Sequence, residues 1–346
     1  MTLRTTAAAS SSAWDRYWFA TSTKYHYGLF RIVFVTGFFL VPVSGLRFAT
    51  VPSLAHDPID RAFLQPTALL RVLPLPLPAP GWLFPVVLVV AAMAAVGLAC
   101  RLSLVTLAAL NLYLGSTLNS HGFIAHDTTL PTIFLLILAF TPGVSACSLD
   151  ALIAARRARG RDWVRLGAPL PVWPVRLLLV VMALVYFAAG YAKLRETGLE
   201  WANGNTLQAY ITDPQPAPYL LADPDTGADA FRDGVGLESF LYSSGRPSPV
   251  AQVVAGSDLL MALCAAISLF WELTFPIVIV VRRLLPWYLL VGLAFHVIVS
   301  ISFGLHSFYA FALCYVVFLD WPRTIEWTRR TLGSVHPART RASPAR

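Results

Sequence analysis

Charge is what this chain has least of. Asp, Glu, Lys and Arg make up 13% of its 346 residues, against 57% that are apolar, and soluble domains carry roughly twice that share of charge. A soluble globule is excluded, and the sequence reads as an integral membrane protein. Cysteine is also sparse: Cys100, Cys147, Cys264 and Cys314 stand apart, with no CxxC and no ligand spacing. That excludes a thiol redox motif and a zinc site, and leaves buried small hydrophobes. No repeat period and no Gly/Ser linker is visible, so the chain reads as one membrane domain. The opening MTLRTTAAASSSA lacks an apolar core and a cleavage site, so residues 1–13 read as a disordered tail and not a secretory signal.

What the chain has instead is eight apolar stretches: Tyr27 to Leu46, Trp82 to Cys100, Leu102 to Asn119, Ile124 to Thr141, Val175 to Ala192, Leu259 to Val281, Trp287 to Ile301 and Ser307 to Trp321. Most approach the length a helix needs to cross about 30 Å of hydrocarbon at about 1.5 Å per residue. The expected fold is an all-α integral membrane protein, a polytopic helical bundle of about eight transmembrane helices over residues 14–322. Eight crossings put both termini on one side. That side holds the N-terminal tail, Arg101, Arg156, Arg157, Arg159, Arg161, Arg165, Arg282, Arg283 and a basic tail, residues 323–346. The opposite side has Arg47, Arg61, Arg71 and a loop over 195–257 rich in Asp and Glu. By the positive-inside rule both termini are cytoplasmic. The net charge of +8 therefore reports orientation, and nucleic acid is not an expected partner. The loop over 195–257 carries Trp201, Tyr210, Tyr219, Phe231, Phe240 and Tyr242 and is too long for a plain connector; it is expected to fold as an outer cap.

The fourth stretch is the odd one, because its uninterrupted apolar run, Leu130 to Phe140, covers only about half a bilayer at helical rise. Pro131 suits the first turn of a helix capped by Thr128 or Thr129. The preceding HGFIAHD would then lie at membrane depth, walled by protein, with His126 and Asp127 lining an outward-facing cavity.

Polar groups inside such a chain are costly and point to function or to internal pairing. Lys193 ends the fifth stretch in the motif GYAKL. Either it snorkels its ammonium into the headgroups, or it stays partly buried, where loss of water favours the neutral amine that acts as a base. His121, His126 and His306 fall in outer turns, and His296 lies near mid-membrane in the seventh stretch; a histidine there is either an interhelical donor or part of a site. Glu272 in FWELTFP is the one carboxylate deep in a stretch, and Arg31 in GLFRIVF the one intramembrane arginine. They either pair, or Arg31 snorkels inward while a hydroxyl or amide holds Glu272 neutral.

In this order the landmarks YGLFRIVFVTGFFL (27–40), VGLACRLSLVTLAALNLYL (96–114), HDTTL through CSLD (126–150), YFAAGYAKL followed by EW (186–201) and WELTFP through FHVIVSISFGLHSF (271–308) resemble the horizontally transferred transmembrane domain family. That family includes the membrane domain of the vitamin K-dependent gamma-carboxylase. The resemblance covers about residues 14 to 322. It implies that Lys193 is the amine base that deprotonates a lipid quinol, menaquinol or vitamin K-like. It places His126 and His296 at the quinone oxygens, adds Trp201 to the cofactor-binding residues, and matches Glu272 to an acidic residue of the family's sixth helix. Arg31, Glu272 and Asp127 become structural or proton-path groups, and no metal is implied. In the carboxylase the oxygenated quinone supplies a base strong enough to deprotonate glutamate, and the carbanion captures carbon dioxide. Two departures set the limits. The carboxylase continues into a large lumenal domain where this chain has a short basic tail, and SHGFIAHD lacks the Asn-rich surroundings of the carboxylase motif.

The resulting expectation is a multi-pass enzyme of the bacterial inner membrane, a quinol-dependent oxygenase or epoxidase coupled to proton abstraction from, or carboxylation of, an unknown substrate. Its partners are the lipid bilayer, a lipid quinone and an unknown peptide or small molecule. The alternative is a non-catalytic membrane partner or peptide-maturation component, in which the same polar groups hold the bundle together. A proton-coupled transporter ranks last, since only Glu272 and Arg31 offer a path through the inner half. The enzyme reading requires that His126, Lys193 and His296 share one outer cavity. It also requires that the Lys193 amine keep clear of carboxylates, and neither Asp127 nor Glu196, the acids close enough to hold it charged, is expected to pair with it.

Overall fold

The computed structural model describes residues 12–41, 67–73, 75–76, 82–120, 126–158, 167–212, 249–303 and 311–335. Helix α1 (Ala13–Phe19) starts at a capping box: Ser12 Oγ accepts from the Asp15 amide at 3.0 Å, and Asp15 Oδ2 accepts from the Ser12 amide at 3.1 Å. Helix α2 (Tyr27–Val35) runs on into a π-helical turn, Thr36–Leu40. After α3 (Ala68–Val72) come α4 (Leu83–Val96), α5 (Cys100–Ser120), α6 (His126–Phe140) and α7 (Leu149–Arg157). Helix α8 (Trp173–Thr197) passes into a 3-10 segment, Gly198–Asn203, and is followed by α9 (Asn205–Thr212), α10 (Pro249–Ala255) and α11 (Asp258–Thr274). The chain then forms α12 (Ile277–Val280), α13 (Leu285–Phe303), a 3-10 segment, Leu313–Phe318, and α14 (Trp321–Val335).

Helix α2 packs against α4 and the 3-10 segment Leu313–Phe318. Tyr27, Phe30, Phe34 and Phe38 recur at three- and four-residue spacing on one face and are fully buried. The Phe34 ring packs on Phe30, Phe38 and Phe134 of α6. Helix α5 packs between α4 and α6, and α8 packs along α11. A polar tie fixes the α5–α6 register: Asn111 Nδ2 donates to Thr128 O at 2.9 Å and to Thr132 Oγ1 at 2.7 Å. On the outside, Leu184 of α8, Ile267 and Phe270 of α11 and Leu290 and Ile298 of α13 are exposed. An apolar exterior of this extent suits lipid and not water.

Trp173–Asn203 and Arg282–Ser300 are long and apolar enough to cross a membrane, while Tyr27–Leu40, Leu83–Val96 and Thr128–Phe140 are shorter apolar helices. Pro276 interrupts the sixth expected stretch and leaves α11 and α12 in its place. The start of the described chain and its last helix meet at one end of the bundle. A two-residue antiparallel pairing joins β1 (Thr21–Ser22) to β2 (Leu170–Pro171), just ahead of α8, and the Trp321 amide donates to Lys24 O at 2.9 Å.

One expectation changes. Helix α6 begins at His126, so Pro131 sits inside the helix and not in its first turn; the contacts of Thr128 and Thr132 with α5 extend the helix beyond the apolar run. Helix α1 starts at Ala13, where the N-terminal tail was expected to end, and the basic segment after residue 322 is helical as far as Val335. Of the expected cap, residues 213–248 lie outside the described residues. Its flanks, α9 and α10, pack on α11 through Ile211, Ala251, Ala255 and Met261.

Candidate functional site

Tyr186, Gly190 and Lys193 follow one another at spacings of four and three on α8 and so share a face. That face meets α11. A side chain at Gly190 would bring its Cβ within 2.9 Å of Glu272 Cβ, so only glycine permits this approach of the two helices. The approach delivers Glu272 to Lys193. Lys193 Nζ lies 2.6 Å from both Oε1 and Oε2 of Glu272. The carboxylate side chain is 4% exposed and the lysine 22%, so the pair is closed on the Glu272 side and open on the lysine side. Trp201, in the 3-10 segment after α8, completes the group, with Nζ 5.3 Å from its ring centroid. The indole Nε1 of Trp201 is buried and has no hydrogen-bond partner.

The expectation that the Lys193 amine keeps clear of carboxylates is therefore overturned. Glu196, three residues on, accepts from Arg195 and stays off the amine as expected, but an acid from 79 residues away reaches it. Two helices that each need to satisfy one buried charge do so through each other, which offsets desolvation that neither charge could bear alone.

Further along the same face, Tyr186 Oη lies 2.7 Å from His296 Nε2 and 2.6 Å from Tyr315 Oη. His296 is buried, stacked on Phe311 and flanked by Phe295 and Tyr315. Trp271 of α11 and Phe275, just after it, pack on the Tyr186 ring at centroid distances of 4.5 and 4.7 Å. Tyr186 and Lys193 are seven residues apart, about 10 Å along the helix axis. The described residues thus form two levels, Lys193, Glu272 and Trp201 at one and Tyr186, His296 and Tyr315 at the other. Sequence reasoning missed Tyr186 and Tyr315. A hydroxyl inside an otherwise apolar helix, as in LVYFAAGYAKL, is the signal that could have found Tyr186.

The family model of the HTTM domain matches residues 19–321, most of the chain. The chain belongs to the HTTM domain family. No curated protein and no solved structure matches it. The HTTM domain is a transmembrane domain related to the vitamin K-dependent carboxylase, and the landmark motifs quoted above all lie inside the matched region.

Arg31 of this HTTM domain neither pairs with Glu272 nor snorkels. It is fully buried, and Nη1 donates to Val144 O at 2.7 Å and Nη2 to Cys147 O at 3.0 Å, with Ala95 O at 3.4 Å and Cys100 Sγ at 3.2 Å beside them. The turn over 141–148 and the end of α4 close around it. Gly97, at φ +70°, ends α4 in the left-handed conformation, and a Cβ there would meet Ser148 Cβ at 2.4 Å and Arg31 Nη1 at 2.8 Å. Asp150 ties the same turn to α5 by accepting from the Ala99 and Cys100 amides at 3.0 and 2.8 Å. Arg31 is thus the hub of one end of the HTTM domain. The side chains of His126 and Asp127, and all of His121 and His306, lie outside the described residues.

Proposed function

We propose that this HTTM domain is a multi-pass protein of the bacterial inner membrane, with eight crossings and both termini cytoplasmic. In this reading it binds a lipid quinol, and its Lys193–Glu272 pair is the proton acceptor. The observation that carries the proposal is the one-sided pair: a buried carboxylate behind an amine that stays open toward Trp201. A lone lysine base is replaced by a couple. Glu272 is placed to take a proton from Nζ, and the amine it leaves behind is the base on the open side. The residues fit a quinone oxygen, because the buried Trp201 Nε1 needs an acceptor and lies beside the amine. His296 serves differently from the expectation, since Nε2 is engaged by Tyr186; it positions Tyr186 and, through it, the α8 face that carries Lys193. When bound, the quinol supplies electrons for dioxygen and, through their transfer, a base strong enough to deprotonate a carbon acid. The second substrate, a peptide or small molecule, is the source of that proton.

A second reading is favoured by the closeness of Nζ to both carboxylate oxygens: a static tie between α8 and α11 in a non-catalytic membrane partner or a peptide-maturation component. Solvent extraction of the purified protein, followed by oxygen uptake with a reduced short-chain naphthoquinone, separates the two. The enzyme reading expects quinone in the extract, and uptake abolished in Lys193→Arg, whose guanidinium stays protonated at any workable pH. An extract without quinone, together with uptake equal in wild type and variant, leaves the tie as the function of the pair.

A further inference from the structure

At the basic end of the bundle, away from Lys193, two arginines flank one tyrosine. The Cζ of Arg176, in the first turns of α8, lies 4.1 Å from the Tyr17 ring centroid, and that of Arg282, in the turn before α13, lies 5.3 Å from it. Trp18 packs edge-on against the same ring at 5.1 Å. Four donors in this cluster are buried without a hydrogen-bond partner: Tyr17 Oη, Trp18 Nε1, Arg176 Nε and Arg282 Nε. No described carboxylate lies within 4.0 Å of either guanidinium. The nearest acid in sequence, Asp15, is turned to the Ser12 cap. Among the described residues, the one acceptor bonded to either guanidinium is Arg16 O, 3.5 Å from Arg176 Nη1.

Two like charges and four orphaned donors around one ring amount to a deficit of negative charge and of acceptors. A tyrosine face attracts cations but supplies no acceptor to their N–H groups. An anion with several oxygens meets both needs, and arginine forks match the geometry of phosphate. The neighbours say where the phosphate comes from: on the same short α1, Trp14 is 66% and Phe19 64% exposed, aromatic side chains of the kind that settle at headgroup level.

We propose that Tyr17, Trp18, Arg176 and Arg282 form a binding site for the phosphate of an anionic phospholipid, docking α1 on α8 and the α12–α13 turn. The proposal is independent of the quinol reading, since none of its residues lies in the Lys193 group. It gives the basic residues of this end a specific ligand in addition to their role in topology.

The test uses the full-length protein in a non-ionic detergent. Its thermal unfolding is followed while phosphatidylglycerol, phosphatidylcholine or soluble glycerol phosphate is titrated in. Phosphatidylglycerol should raise Tm and phosphatidylcholine should not. Arg282→Gln should weaken the apparent phosphatidylglycerol affinity about tenfold, the scale of one lost charge-assisted contact. Arg283→Gln, at the exposed neighbour that stacks on no described ring, should leave it unchanged. Tyr17→Leu should act in the direction of Arg282→Gln. Equal responses to the two lipids, or equal losses in Arg282→Gln and Arg283→Gln, would overturn the site. A full response to glycerol phosphate alone would keep the anion site and overturn its lipid source.

Discussion

Two buried cations solve the same problem in opposite ways. Arg31 is fully enclosed, and its two terminal nitrogens donate to backbone carbonyls and a thiol, all neutral, while Nε has no partner. Lys193 is partly open and is satisfied by one carboxylate. The planar fork of arginine spreads its charge over several acceptors on a turn that would otherwise have unpaired carbonyls, so the cation and the turn stabilise each other. The compact ammonium of lysine takes a single charged partner and keeps a side toward its surroundings. A fixed environment of neutral dipoles suits structure; a partner that can exchange a proton, with an open face, suits chemistry. The contrast between the two ends is the main physical reason to look for function at Lys193 and not at Arg31.

The sharpest way to break that contrast is to remove each cation. Arg31→Met strands two close carbonyls and opens the turn around Gly97, at a cost of about 4 kcal/mol. Arg31→Lys should recover little of it, because one ammonium cannot reach the same acceptors. Unfolding of the solubilised protein by heat or denaturing detergent measures both. Near-complete rescue by lysine would mean that charge and not the fork holds this end. Lys193→Met fills the same volume, but the structure changes the outcome expected of it, since it strands a carboxylate that is 4% exposed. Breaking a buried pair from one side costs about 3 kcal/mol, whereas Lys193→Met combined with Glu272→Leu should restore most of it. If the single and the double variant prove equally unstable, the tie is not what the pair contributes.

Smaller effects sharpen the picture further. Tyr186→Phe removes the hydroxyl between His296 and Tyr315 and should cost about 1 kcal/mol for each lost hydrogen bond. It should also lower any quinone-dependent turnover more than it lowers quinone content. A fall in both by the same factor would show that Tyr186 does no more than hold the fold. The smallest effect is on pH. His26, just before α2, caps that helix by accepting from the Leu29 amide at Nδ1. Burial lowers its pKa from the ordinary 6.5, with the nearby Arg31 charge acting in the same direction. The unfolded chain therefore takes up the proton more readily. Stability is complete above about pH 6.5 and falls as the pH drops below it. His26→Asn keeps a cap acceptor and should flatten that acid limb of a Tm-against-pH curve; an unchanged limb would assign it to another group.

How legible the site was in the sequence depends on the residue. Lys193, Glu272 and Trp201 were each named from the sequence, and the described structure brings all three together. The open question was the partner of the amine: Glu196 stays off it as expected, and the acid that reaches it is Glu272, distant in sequence. His296 was found as the one histidine in its span, but its partner was not, because tyrosine is as common in apolar packing as in hydrogen bonding. Arg31 was found and its partners were not, since they are backbone carbonyls, which every residue has. The early start of α6 was hidden for a related reason: its polar first turn is held by Asn111 of α5 and not by its own composition.

Composition and the order of motifs determined by themselves that this is a helical membrane domain of the HTTM family, and they marked which few polar groups its interior must accommodate. Only the tertiary structure decided which of them meet. In a soluble helix the apolar stripe says which face turns inward, but a helix that faces lipid is apolar on every side, and its inward face is set by close packing with its neighbours. Gly190 allows α8 to approach α11, and that contact joins Lys193 to a glutamate 79 residues away, while α13 brings to the same helix a histidine 110 residues from Tyr186.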